Sequence, residues 1–136
     1  MKGEYDLAGK VIGMAMKVHS TLGPGFLESV YQKSLAQELT EAGVRFESEK
    51  PLNVLCHGIL VGEFVADFPV ENELIVESKA LQNLVPTHEV QTANYLAVTG
   101  KDVGLLLNFG AERLEFKKKF KLPKAKIHSE HSVYFV

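Results

Sequence analysis

The sequence predicts an α/β domain, a mixed sheet covered by helices, with elements in the order ααβββαββ. Three observations lead there. Two stretches before Gly43 space their apolar residues as helices do. Three runs between residues 51 and 80 read as consecutive strands. Beyond a helix opened by Pro86, "VGLLLNF" (103–109) is almost wholly apolar, as a strand buried on both faces is.

In order, residues 6–20 place Val11, Met14, Ala15 and Val18 on one helical side. "TLGPGF" is a loop marked by Gly23, Pro24 and Gly25. Residues 26–42 form the clearest helix, with Leu27, Val30, Tyr31, Leu35, Leu39 and Ala42 as its stripe and Gly43 as its stop. Strands are expected over 51–61, 63–70 and 73–80. The next helix runs from Pro86 to about Thr99, stops at Gly100, and takes Val90, Ala93 and Ala97 as its core face. Strand 103–109 follows, and "RLEFKKKF" (113–120) alternates as a more exposed last strand.

A chain of 136 residues suits one core, assigned to 1–120, and 46% hydrophobic content argues against disorder of the whole. No run approaches the roughly 20 apolar residues of a membrane span, and the N-terminus lacks a signal-peptide pattern. The single cysteine, Cys56, excludes an internal disulfide, reads as an inert buried thiol, and fits a reducing, cytoplasmic setting. The net charge of −2 is unevenly spread: residues 1–116 hold 9 Lys/Arg against 16 Asp/Glu, and 117–136 hold 6 Lys against 1 Glu. The body is therefore no polyanion-binding surface by composition. The tail over 121–136, basic and then apolar, reads either as an attractor of nucleic acid or as a solubilising terminus. Its end, "SVYFV", is apolar enough to pair with another chain, which suggests a homodimer.

The stretch "VADFPVENELIVESKALQ" (65–82) sets charges inside apolar strands, where an unpaired charge is costly. Alternation puts Glu77 and Lys79 on one face of their strand. If Val70 pairs with Leu74 across "VENEL", Asp67 comes opposite Glu77 on that face. Two close carboxylates repel, and a divalent cation relieves that conflict. Hard oxygen donors suit Mg²⁺, with Mn²⁺ as a substitute. The same residues also read as a surface ion pair, Glu77–Lys79, of little consequence. Glu28 shares the apolar stripe of its helix, either as a rim residue or as a ligand aimed inward. It starts that helix just after the Gly-Pro-Gly loop, where backbone amides can meet a ligand. His88, Gln91 and Tyr95 form a polar stripe beside a core stripe, solvated or turned to a phosphate or base. The other histidines lack metal-ligand spacing, and no zinc-finger, P-loop or dinucleotide-binding pattern is present.

"GFLESVY" (Gly25, Glu28, Tyr31), "ADF" (Asp67), "ESK" (Glu77, Ser78, Lys79) and "QTANY" (Gln91, Tyr95) together resemble the GxxExxY proteins of the PD-(D/E)xK nuclease superfamily. The resemblance covers residues 8–120, with Ala66 where the motif nominally has Pro. It implies the restriction-endonuclease-like fold, a central mixed sheet flanked by helices. It implies that Asp67, Glu77, Glu28 and the Ser78 carbonyl ligate Mg²⁺ and that Lys79 activates or positions the attacking water. Gln91 and Tyr95 would position the lysine or the substrate, with His88 and Tyr31 as further substrate contacts. The implied activity is metal-dependent hydrolysis of phosphodiester bonds in nucleic acid, DNA ahead of RNA. The alternative is a non-cleaving nucleic-acid-binding or scaffold module that retains the fold. A carboxylate-pair glycosidase is a weaker third reading, opposed by Lys79 and by the absence of tryptophan for sugar stacking.

Overall fold

The computed structural model describes residues 7–121. Two helices lead, α1 (Leu7–Leu22) and α2 (Glu28–Glu41). Four strands follow: β1 (Lys50–Cys56), β2 (Ile59–Ala66), β3 (Phe68–Val70) and β4 (Leu74–Lys79). Helix α3 (Pro86–Thr99), β5 (Val103–Asn108) and β6 (Glu115–Phe120) complete the described chain. The expected helices form where the apolar spacing puts them. The single expected strand over 51–61 does not. His57 and Gly58, both with positive φ (51° and 79°), make a two-residue turn inside it. Two left-handed residues match the twist of a tight hairpin, so β1 and β2 fold back on each other. The expected strand over 63–70 is likewise divided at Asp67, giving six strands in place of five.

These strands form two sheets. β1 and β2 make an antiparallel hairpin of their own, and the central sheet runs β3-β4-β5-β6. β4 and β5 are parallel and the outer pairs antiparallel, so the central sheet is mixed. Helix α3 is the crossover that a parallel pair requires.

One sheet face carries Phe68, Val70, Leu74, Val76, Leu105 and Leu107 against α1 and α2. There Val11, Ala15 and Val18 of α1 and Tyr31, Leu35 and Leu39 of α2 are fully or almost fully buried. The other face is covered by α3, whose Thr92 and Leu96 side chains pack close over Gly104, where an added Cβ would sit tight against them. Thr92 and Leu96 are therefore its buried residues. The expected core face of Val90, Ala93 and Ala97 is wrong: Val90 is 58% exposed and the alanines are half-buried. The small floor at Gly104 rotates the helix, seating a threonine where a pattern of hydrophobicity marks a valine.

The basic-then-apolar tail lies outside the described residues apart from Lys121, and with it the segment on which the homodimer expectation rests. Among the described residues no helix is long and apolar enough to cross a membrane.

Candidate active site

Helix α2 begins at the site because the loop before it is pinned. Gly25 has φ of 110°, a conformation open to glycine and strained for other residues. The Tyr31 hydroxyl donates to the Gly23 carbonyl at 2.5 Å and accepts the Phe26 N–H at 3.1 Å. Its ring stacks on Phe109, with centroids 4.9 Å apart and planes within 8°. Tyr31 is thus fully buried with its hydroxyl engaged by main chain, which corrects its assignment as a substrate contact. Its work is to anchor the loop so that the helix starts with Glu28.

The strand that carries Asp67 changes sheets there. Residues up to Ala66 pair with β1, and those from Phe68 pair with β4. The β3–β4 register is Val70↔Leu74, Pro69↔Ile75 and Phe68↔Val76, as the connection implies. The ladder ends one pair short of Asp67, which occupies a bend. Freed from the ladder, its carboxylate takes the Ser78 main-chain N–H on Oδ2 at 2.9 Å, and the Ser78 hydroxyl at 3.3 Å. The next residues back and forward along β4 are Glu77, 6% exposed, and Lys79, half-buried at the strand end.

Gln32, which the sequence reading passed over, ties these elements together. Its side-chain amide donates to Glu28 Oε2 at 2.9 Å and to Ser78 Oγ at 3.1 Å. The signal for it is the i, i+4 spacing from Glu28, which puts both on one helix face.

The carboxyls have been taken out of water and set near one another. Burial pushes Glu77 up to about 9, and the neighbouring Asp67 charge adds to that. Asp67 is also raised by burial, against the opposing pull of the Ser78 hydrogen bonds and Lys79. Glu28 is raised by burial and by Asp67, and Lys79 acts the other way. Glu28, Asp67, Glu77 and Lys79 therefore share one electrostatic cluster. Tyr95 belongs to its edge: burial and the charges of Glu77 and Asp67 push its hydroxyl up to about 12. The Tyr95 ring lies flat on Phe64 of the hairpin, centroids 3.9 Å apart.

The other stripe residues fare differently. Gln91 is exposed on α3 and makes no hydrogen bond to the cluster among the described residues. His88 accepts the Val85 N–H on Nδ1 at 3.2 Å, so its ring closes the start of α3 and is not brought to the carboxylates. A cavity of about 720 Å³ between β1 and the end of α3, lined by Lys50, Leu52, Asn53, Ile75 and Val98 among others, includes none of the clustered charges.

Glu77 Oε2 is buried and meets no hydrogen-bond partner. Beside a second carboxylate, such an oxygen is the kind of group a divalent cation would satisfy, so the donors fit Mg²⁺ or Mn²⁺. Among the described residues no three His, Cys, Asp or Glu side chains are gathered closely enough to hold an ion by themselves. An ion here would take further ligands from main chain, water or substrate, as Mg²⁺ commonly does.

A mixed sheet between helices, with Asp67 at a strand switch and Glu77 and Lys79 on the neighbouring strand, defines a restriction-endonuclease-like α/β fold. The model of the PD-(D/E)XK nuclease superfamily matches residues 5–120, and the chain belongs to that superfamily. No curated protein matches it significantly. Among solved structures it is similar in fold to the crystal structure of SSO0001, with a TM-score of 0.57 at 18% identity over 74% of this chain. The chain spans 54% of the length of that structure.

Proposed function

We propose that this protein is a Mg²⁺-dependent nuclease of the GxxExxY branch, hydrolysing phosphodiester bonds in DNA in a cytoplasmic setting. The observation that carries the reading is the unpartnered, buried Glu77 Oε2 beside Asp67, with Lys79 within the same electrostatic cluster. Asp67, Glu77, Glu28 and the Ser78 carbonyl would hold the metal, with Mn²⁺ as a substitute. The chemistry a bound cation supplies is polarisation of a phosphoryl oxygen and acidification of a water. Lys79 orients the attacking water and offsets negative charge as it grows on the phosphoryl group. Its own strand fixes it: the Lys79 carbonyl accepts the Phe109 N–H at 2.8 Å. Tyr95, held flat by Phe64, offers a hydroxyl to the substrate or the lysine, and Gln91 stands exposed one turn away to meet the substrate.

The test is a cleavage assay on single- and double-stranded DNA and on RNA, with Mg²⁺ and with chelator. Wild type should cut only with metal. Asp67→Ala and Lys79→Met should lose about 10²–10⁴-fold in rate with unchanged circular dichroism, the range for removing a group that assists proton transfer or charge stabilisation. Full activity in both variants would exclude the mechanism.

A second reading, a nucleic-acid-binding or scaffold module that does not cut, is favoured by one observation: no three metal-ligating side chains are gathered among the described residues. Binding without cleavage in the same assay, for every substrate and metal, would select it.

A further inference from the structure

The hydrogen bonds around Gln32 run in one direction. A primary amide has two N–H groups and no others to give. The Gln32 Nε2 group uses both, one on Glu28 Oε2 at 2.9 Å and one on Ser78 Oγ at 3.1 Å. Having accepted from Gln32, the Ser78 hydroxyl directs its proton to Asp67 Oδ2. The Ser78 main-chain N–H reaches the same Asp67 oxygen. One oxygen of each carboxylate is therefore occupied by protein. These bonds leave Glu28 Oε1 free, the Glu77 side chain bears on the Asp67 carboxyl as a further hydrogen-bond partner, and Glu77 Oε2 is buried with no partner.

We propose that Gln32 is a positioning residue: it fixes Glu28 directly and Asp67 through Ser78, and so sets the two carboxylates to meet a cation. The inference rests on the metal-binding reading of Asp67 and Glu77. Gln32 touches neither the reacting atoms nor the metal. It links helix α2 to strand β4, elements whose bonded residues are 46 positions apart in sequence, and sets the two carboxylates relative to each other. Without it Glu28 can turn about its side-chain bonds, and the Ser78 hydroxyl loses the donor that defines its direction. Loss of a hydrogen bond that orients a metal ligand commonly weakens metal binding about 10–100-fold.

The experiment is calorimetric titration of Mn²⁺ into wild type, Gln32→Leu, Ser78→Ala and the double variant, with melting temperatures measured in chelator. Gln32→Leu should raise the Mn²⁺ dissociation constant about 10–100-fold while leaving metal-free melting nearly unchanged. If Gln32 acts through Ser78, the double variant should bind little worse than the weaker single variant, because changes in one hydrogen-bonded network do not add. Gln32→Met keeps the length, removes both donors without adding charge and should weaken binding about as much, which serves if the leucine variant does not fold. Equal Mn²⁺ affinity in wild type and a folded Gln32 variant overturns the inference alone. A wild type that binds no Mn²⁺ overturns the metal reading itself, and the role given to Gln32 falls with it.

Discussion

Glu77 sits where a charge is least welcome, in the central sheet, with one oxygen that meets no donor. In the metal-free protein its carboxyl therefore stays protonated up to about 9, against an ordinary value of 4.5. Between those values the native state holds a proton that the unfolded chain has released. Stability is therefore greatest at the acidic end of that window and is lost as pH rises toward about 9. Urea unfolding in chelator from pH 5 to 9 should show this decline in wild type and a flatter profile in Glu77→Gln. The raised Asp67 contributes with the same sign. A second residue-scale expectation concerns Gly110, where an added Cβ would strike the backbone at Ala80 and Leu81. Gly110→Ala should cost about 1–3 kcal/mol or more, read from the denaturant midpoint, since backbone cannot step aside as a side chain can.

At the scale of elements, the loop before α2 decides where Glu28 stands. Tyr31→Phe keeps the stack on Phe109 but strands the Gly23 carbonyl and the Phe26 N–H, which should cost about 1–3 kcal/mol in thermal unfolding. From sequence, a tyrosine three residues after Glu28 looks the same whether its hydroxyl faces a substrate or its own main chain, which is why Tyr31 misleads. Helix boundaries were legible because Pro86, Gly43 and Gly100 punctuate them, and Gly100 does adopt φ of 76°. The hairpin was not, because the apolar residues on both sides of His57-Gly58 run together as one strand would. The orientation of α3 was hidden for another reason: a helix turns toward the space its sheet offers, and Gly104 sits on a strand that follows it. The Val70↔Leu74 register was legible because a short connection leaves few alternatives, but the pairing of Asp67 opposite Glu77 was not reached: the ladder stops at Phe68 and Asp67 turns to Ser78 instead. Gln32 was not singled out because an amide on a helix is as often solvated as engaged, and only the tertiary neighbour Ser78 distinguishes the two.

At the scale of the molecule, a carboxylate cluster that holds a cation as proposed would make the fold itself a reporter of metal. Anything that binds only the native state raises its stability, by about 2.7 kcal/mol at a hundredfold excess over the dissociation constant. Melting temperature should therefore climb with added Mn²⁺ or Mg²⁺ in wild type and stay flat in Asp67→Ala, as scanning fluorimetry can follow. The rise should be larger at pH 8 than at pH 6, because metal binding must displace the proton that Glu77 retains.

The bond between Gln32 and Ser78 has a consequence in time. Glu28 leaves the ribosome early, Asp67 later, and Glu77 and Ser78 only afterwards, while the parallel pairing that steadies β4 waits for β5 beyond α3. A nascent chain can own every acidic side chain of the cluster and still lack its arrangement. The cutting activity proposed for this protein would therefore arise only at the end of folding, and unfinished copies would be harmless to the nucleic acid around them.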